Sequence, residues 1–229
     1  MREERTEEEQ LADEALILAL YHLVQNRTGE GAVGDRLKAM KLVFLANYAM
    51  FSERMKGFNC TFYRWEYGPM SNDVYAAWDQ LKRAGLLDEE ECISVTARGA
   101  GLASAFIGDV LEREENRPFL RFLDDTARQW GRKSRSTILT SIYNMEVAPL
   151  GEFRASRIRD MPLTAHLTEA LDSGDANATL HIEPGWMETL ALALNPESTR
   201  SIERGADDAR AGRVVRGDAV WDAFESPAV

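Results

Sequence analysis

The chain has 229 residues, 45% of them hydrophobic and 28% charged, with a formal net charge of −11. This is an ordinary globular composition that excludes wholesale disorder and fibrous repeats, and its length predicts one main domain with an appendage. No apolar run is long enough to span a bilayer, because the longest, around Ala15 to Leu20, is cut by His22 and Gln25. The segment Glu7-Glu8-Glu9 occupies the place where a secretion signal would carry an apolar stretch, so a cytoplasmic setting is expected. Cys60 and Cys92 fit that setting as two small thiols without a disulfide role.

The first element is a helix from Glu8 to Gln25, with Leu11, Ala15, Leu16, Ala19, Leu20 and Leu23 at helical spacing. A glycine-rich loop follows, and Asp35 caps a second helix that runs to about Arg54. Leu37, Met40, Phe44, Tyr48 and Phe51 form its stripe, and Leu42, Val43, Leu45 and Ala46 widen it so far that the helix belongs in the interior. After Gly57, Asn59 to Tyr67 is rich in β-branched and aromatic residues and reads as an extended segment entering a turn at Gly68-Pro69. Ser71 caps a helix from Asn72 to Arg83, which stops at Gly85 with Leu86 placed to contact Leu81. Two short strands, Gly85 to Asp88 and Cys92 to Thr96, lead into a helix from Gly99 to Glu115, an order found in winged helices.

Further helices are expected from Pro118 to Trp130 and from Ser136 to Met145. The composition changes near Pro149-Leu150-Gly151, and a domain boundary is placed at 150. Beyond it a short helix (Leu163 to Leu171), a short strand (Ala178 to Ile182) and a helix opened by Pro184 form a small α/β appendage. The fold class is therefore mainly α (α+β): a compact helical domain over 1–150 with a small β-hairpin, and a C-terminal extension over 151–229.

Catalytic signatures are missing from the sequence. Gly29-Glu30-Gly31-Ala32-Val33-Gly34 has the glycine spacing of a dinucleotide loop, but it follows a helix, whereas that loop needs a preceding strand. His22, His166 and His181 are scattered without ligand spacing, so no metal, cofactor or enzyme activity is expected. Charge speaks weakly for nucleic acid: residues 112–160 carry 10 basic and 8 acidic side chains, whereas residues 161–229 carry 5 and 12.

One set of linked motifs is distinctive. Lys41-Leu42-Val43-Phe44-Leu45-Ala46, then Tyr67-Gly68-Pro69, then Val74-Tyr75, with Lys133-Ser134, Leu139 and Ile142-Tyr143 further on, resembles the Panacea (SocA-like) domain of bacterial and phage antitoxins over about residues 10–148. Phe44 and Met70 depart from the commonest residues of that pattern but keep aromatic or apolar character. The resemblance implies a helical domain that neutralises a cognate toxin by direct protein–protein binding. Arg64, Glu66, Asn72 and Asp73 are expected to face that partner, and Trp65, Tyr67 and Trp78 to build the core. Leu194 to Phe224 is similar to the toxin-binding tails of small antitoxins, which makes Ile202, Val214, Val215, Trp221 and Phe224 candidate anchors. A homodimer stays open as a second association.

Two alternatives stand beside this expectation. A winged-helix transcriptional regulator would put the Asn72 to Arg83 helix in the DNA major groove with Lys82, Arg83 and Arg98 nearby, against the acidic balance of the chain. A protease adaptor would bind the toxin and deliver it for degradation.

Overall fold

The computed structural model describes residues 5–147 and 155–213. Its elements in chain order are α1 (Glu7–Thr28), α2 (Arg36–Ser52), β1 (Met55–Lys56), β2 (Phe62–Trp65), β3 (Gly68–Met70), α3 (Asn72–Arg83), β4 (Leu87–Glu89) and β5 (Ile93–Val95). There follow α4 (Ala97–Phe106) with a π-helical turn (Ile107–Leu111), α5 (Arg117–Trp130), α6 (Arg135–Asn144), β6 (Glu146–Val147) and β7 (Ser156–Arg157). A short 3₁₀ turn (Ile158–Asp160), β8 (His166–Thr168), β9 (Ala178–Thr179), α7 (Pro184–Leu194) and α8 (Pro196–Arg210) complete the set. The mainly α character with small sheets is as the sequence predicts.

Helix α1 begins with a reciprocal cap: Glu9 N–H donates to Thr6 Oγ1 at 3.2 Å and Thr6 N–H to Glu9 Oε2 at 3.1 Å. Every residue from Ala12 to Tyr21 is buried, so α1 is covered on all sides, by α3, α4, α5 and α7 among others. Helix α2 is likewise interior, and Phe44 meets Phe62 edge to face at 5.4 Å. Two helices therefore share the centre of the domain.

Helix α3 starts and stops where the local sequence requires. Ser71 Oγ accepts from Val74 N–H, and at the other end Gly85 N–H donates to Lys82 O and Leu86 N–H to Leu81 O, each at 2.9 Å. This is a Schellman motif, with Gly85 at φ +69°. The buried face carries Val74, Ala77, Trp78 and Leu81, and Trp78 Nε1 donates to Tyr21 Oη at 2.8 Å. The hairpin β4–β5 then leads into α4. A Cβ on Gly99 would lie 2.1 Å from Leu86 O, so α4 reaches this hairpin only with glycine there.

Two expectations are corrected. Leu163 to Leu171 is not a helix: β8 runs antiparallel to β2, and Thr168 Oγ1 accepts from buried Asn47 at 3.1 Å. The open edge of β2 and the burial of Leu167 and Thr168 override the local helical preference. The other is the helix over Gly99 to Glu115, which starts at Ala97 as α4 and closes in the π-helical turn at Leu111. The described part of the extension packs on the helices before it: strand β9 lies parallel to β1, Asn116 and His181 exchange hydrogen bonds, and Leu167, Leu190 and Leu194 belong to the same hydrophobic cluster as α1 and α2.

A polar cluster ties the start of α1 to the loop before β2. Asp13, fully buried, accepts from Asn59 N–H at 2.6 Å and pairs with Arg5 at 2.7 Å, and Arg5 reaches Asp73 at 3.2 Å. Burial pushes the Asp13 carboxyl up to about 6 in spite of these partners. No described helix is long and apolar enough to cross a membrane.

Candidate protein-docking surface

The segment between Phe62 and Tyr75 folds into the hairpin β2–β3 and the start of α3. Trp65 pairs with Gly68 across a two-residue turn, Glu66-Tyr67, and Gly68 closes it at φ +84°, a left-handed angle that glycine adopts without strain. Pro69 sits in the ladder opposite Arg64. It is tolerated because β3 is an edge of the sheet β3–β2–β8.

Alternation along β2 divides its side chains. Phe62 faces the core and is fully buried, whereas Tyr63 and Trp65 point to the other face and meet edge to face at 6.1 Å. Trp65 is 40% exposed and Tyr67, on the turn, 63%. They border a groove of about 170 Å³ between the hairpin, α2 and α3, lined also by Leu37, Met40, Met70 and Tyr75. Exposed tryptophan and tyrosine beside an apolar groove are the residue types that dominate binding energy at protein interfaces.

The hairpin is braced from three helices. From α2, Lys41 Nζ donates to Pro69 O at 2.6 Å. From α6, Tyr143 Oη donates to Glu66 O at 2.9 Å, and its ring lies 5.3 Å under the Arg64 guanidinium. At the start of α3, Asn72 Oδ1 accepts from Tyr63 Oη at 3.2 Å. A hairpin backbone braced in this way needs little further ordering on binding, which favours affinity.

Charge at the groove is uneven. Arg36 at its rim is held by Glu89, which also pairs with Lys82 at 2.7 Å, and the Arg36 hydrogen bonds bring the Glu89 carboxyl down to about 2. Lys41 at its floor is only 2% exposed and has no carboxylate partner among the described residues. Burial, with a smaller push from Arg64, lowers its ammonium to about 7.

The residues expected to face a partner separate into two kinds. Glu66 and Asn72 are exposed on the turn and at the first residue of α3. Arg64 is half-buried and donates from Nε to Ile158 O at 3.0 Å, and Asp73 accepts from Thr61 N–H at 2.8 Å while pairing with Arg5. These two hold the fold together. Ile202 is 58% exposed on α8, whereas Val214, Val215, Trp221 and Phe224 lie outside the described residues.

Trp78 is a core residue as expected, but Trp65 and Tyr67 are not. The period-two pattern of β2 carried that information: with Phe62 inward, Trp65 must face away from it. In the sequence Lys41, Leu37, Met40 and Tyr75 belong to a helix stripe or a motif, and only the packing of α2 against the hairpin assembles them into a groove.

The cations that a DNA-reading α3 would use are engaged within the chain. Lys82 pairs with Asp79 and Glu89, Arg83 donates to Asp79 O, and Arg98 donates to Ala84 O and to Ala193 O. Gln80 of α3 donates to Leu194 O at the end of α7. Among the described residues no group of histidine, cysteine or carboxylate side chains could hold a metal ion. Comparison with known proteins finds no matching family model, no matching curated protein and no matching solved structure.

Proposed function

We propose that this protein is an antitoxin, acting in the cytoplasm like the Panacea domain it resembles and neutralising a cognate toxin by direct binding. The observation that carries the docking part of this reading is the exposure of Trp65 and Tyr67 on a hairpin tip braced by α2, α3 and α6, beside an apolar groove. Exposed tryptophan and tyrosine that extend an apolar groove make the kind of contiguous patch that marks interaction sites. The motifs around Lys41, Tyr67-Gly68-Pro69 and Val74-Tyr75 supply the antitoxin part. Ile202 on α8, with Val214, Val215, Trp221 and Phe224 beyond it, is a second contact in this reading.

The test is growth rescue. The product of the neighbouring reading frame is expressed with and without this protein, and the pair is recovered by affinity pull-down. Rescue and co-purification by the wild type, with both lost in Trp65→Ala/Tyr67→Ala, is the expected result. A neighbour that is harmless alone, or rescue that survives the double substitution, overturns it.

A further inference from the structure

The groove beside Trp65 has apolar walls and one uncompensated charge. Lys41 Nζ carries three N–H donors, and its one acceptor among the described residues is Pro69 O, at 2.6 Å. Among the described residues no carboxylate lies within ion-pair distance of it, although the chain as a whole is acidic. The charged group that acts on it is Arg64, of like sign, and Arg64 Nη1 is itself buried without an acceptor. A buried ammonium with one neutral acceptor is costly, and an arriving carboxylate offsets that cost by forming a charge-assisted hydrogen bond.

Resting on the reading of this groove as a protein-docking site, we infer that it takes a partner segment in which an apolar or aromatic anchor is followed closely by a carboxylate. The anchor packs among Leu37, Met40, Trp65 and Tyr67, and the carboxylate is received by Lys41. The other cation lining the groove, Arg36, is already bound to Glu89 and offers less to an anion. The aromatic walls give affinity, and Lys41 selects an acidic segment over its neutral counterpart. Burial and Arg64 lower the Lys41 ammonium to about 7, so the free groove is partly uncharged at neutral pH, and binding an anion draws a proton onto Lys41.

The probe is a set of acetylated, amidated heptapeptides of glycine and serine with a central Phe or Leu and either Glu or Gln one to three places after it. These are titrated into the full chain by calorimetry at pH 7.5 in two buffers of different ionisation enthalpy. The expected result is at least tenfold tighter binding of the best Glu peptide than of its Gln counterpart, with net proton uptake for the Glu peptide alone. Lys41→Met, checked for folding by its melting transition, equalises the two affinities, and Trp65→Ala weakens both. Equal affinities in the wild type, a Glu preference that survives in Lys41→Met, or failure of every peptide to bind overturns the inference. Should Lys41→Met not fold, proton uptake by the wild type decides, and its absence overturns the inference. Growth rescue lost in Trp65→Ala/Tyr67→Ala judges the docking reading separately, since it does not depend on the Glu to Gln comparison.

Discussion

Lys41 Nζ donates to Pro69 O at 2.6 Å, joining the interior helix α2 to the edge strand β3. One bond therefore links two motifs that stand 28 residues apart, and it places a buried charge at the floor of the groove. Lys41→Met keeps the volume of the side chain and removes the charge. In the wild type the folded ammonium titrates near 7 against 10.5 unfolded, so the unfolded chain binds more protons between those values. The Lys41 contribution to stability accordingly rises with pH from about 7 upward, by up to about 1.4 kcal/mol per pH unit within that interval. Denaturant melts at pH 7 and pH 8.5 are expected to show this rise in the wild type relative to Lys41→Met, and parallel curves would exclude it.

Trp65→Ala and Tyr67→Ala remove exposed side chains from a braced hairpin. Each is expected to change folding stability by less than about 1 kcal/mol, as for surface positions, and to weaken partner binding by about 2 kcal/mol or more, as for interface hot spots. Melting curves and a binding titration on the same samples separate the two effects.

Glu14 reports on pH in the opposite direction. Burial, aided by Asp13, raises its carboxyl to about 7 from 4.5, so the folded chain holds the proton over that interval and loses stability as pH climbs through it. Asp13 behaves likewise up to about 6. Glu14→Gln is expected to match the wild type near pH 4.5 and to exceed it by about 3 kcal/mol at pH 8, since the carboxyl is raised from 4.5 to about 7 and each pH unit of that interval is worth about 1.4 kcal/mol. Urea titrations at the two pH values measure the difference.

Truncation separates the extension from the core. Removal of everything after Arg213 keeps α7, β8 and β9 in the chain and serves as the reference variant. Ending the chain at residue 160 removes the partner strand of β2 and the α7 residues Leu190 and Leu194, and that variant is expected not to fold cooperatively. Circular dichroism on the two truncations gives the answer.

Gly99→Ala tests the close approach of α4 to Leu86. The added methyl would sit 2.1 Å from a backbone oxygen that cannot rotate away, so a loss of about 2 kcal/mol or more is expected. Gly101, two residues further along α4, has open space around it, and Gly101→Ala is expected to be neutral or mildly stabilising in denaturant melts.

The helices from α1 to α7 were legible in the sequence because their signals are local, whereas α8 was not expected. Ser71, Gly85 and Leu86 define both ends of α3 through bonds made within a few residues, and Pro118 lies in the first turn of α5, where its missing N–H costs nothing. Beyond residue 150 the strand at Ala178–Thr179 falls within the expected Ala178 to Ile182, whereas His166–Thr168, expected as part of a helix, was not legible. His166–Thr168 pairs with Phe62–Trp65, more than 100 positions away, and it has no alternation long enough to announce itself.

The docking surface divides along the same line. The sequence by itself determined the linked motifs, the turn at Gly68 and the helix stripe of α2, since each follows from spacing and backbone preference over short stretches. Tertiary structure decided which aromatics are covered: Trp78 is turned inward to Tyr21, while Trp65 and Tyr67 project from a hairpin that Lys41, Asn72 and Tyr143 brace at Pro69 O, Tyr63 Oη and Glu66 O. Exposure depends on what other elements lie opposite a side chain, and that arrangement is set by packing over the whole chain.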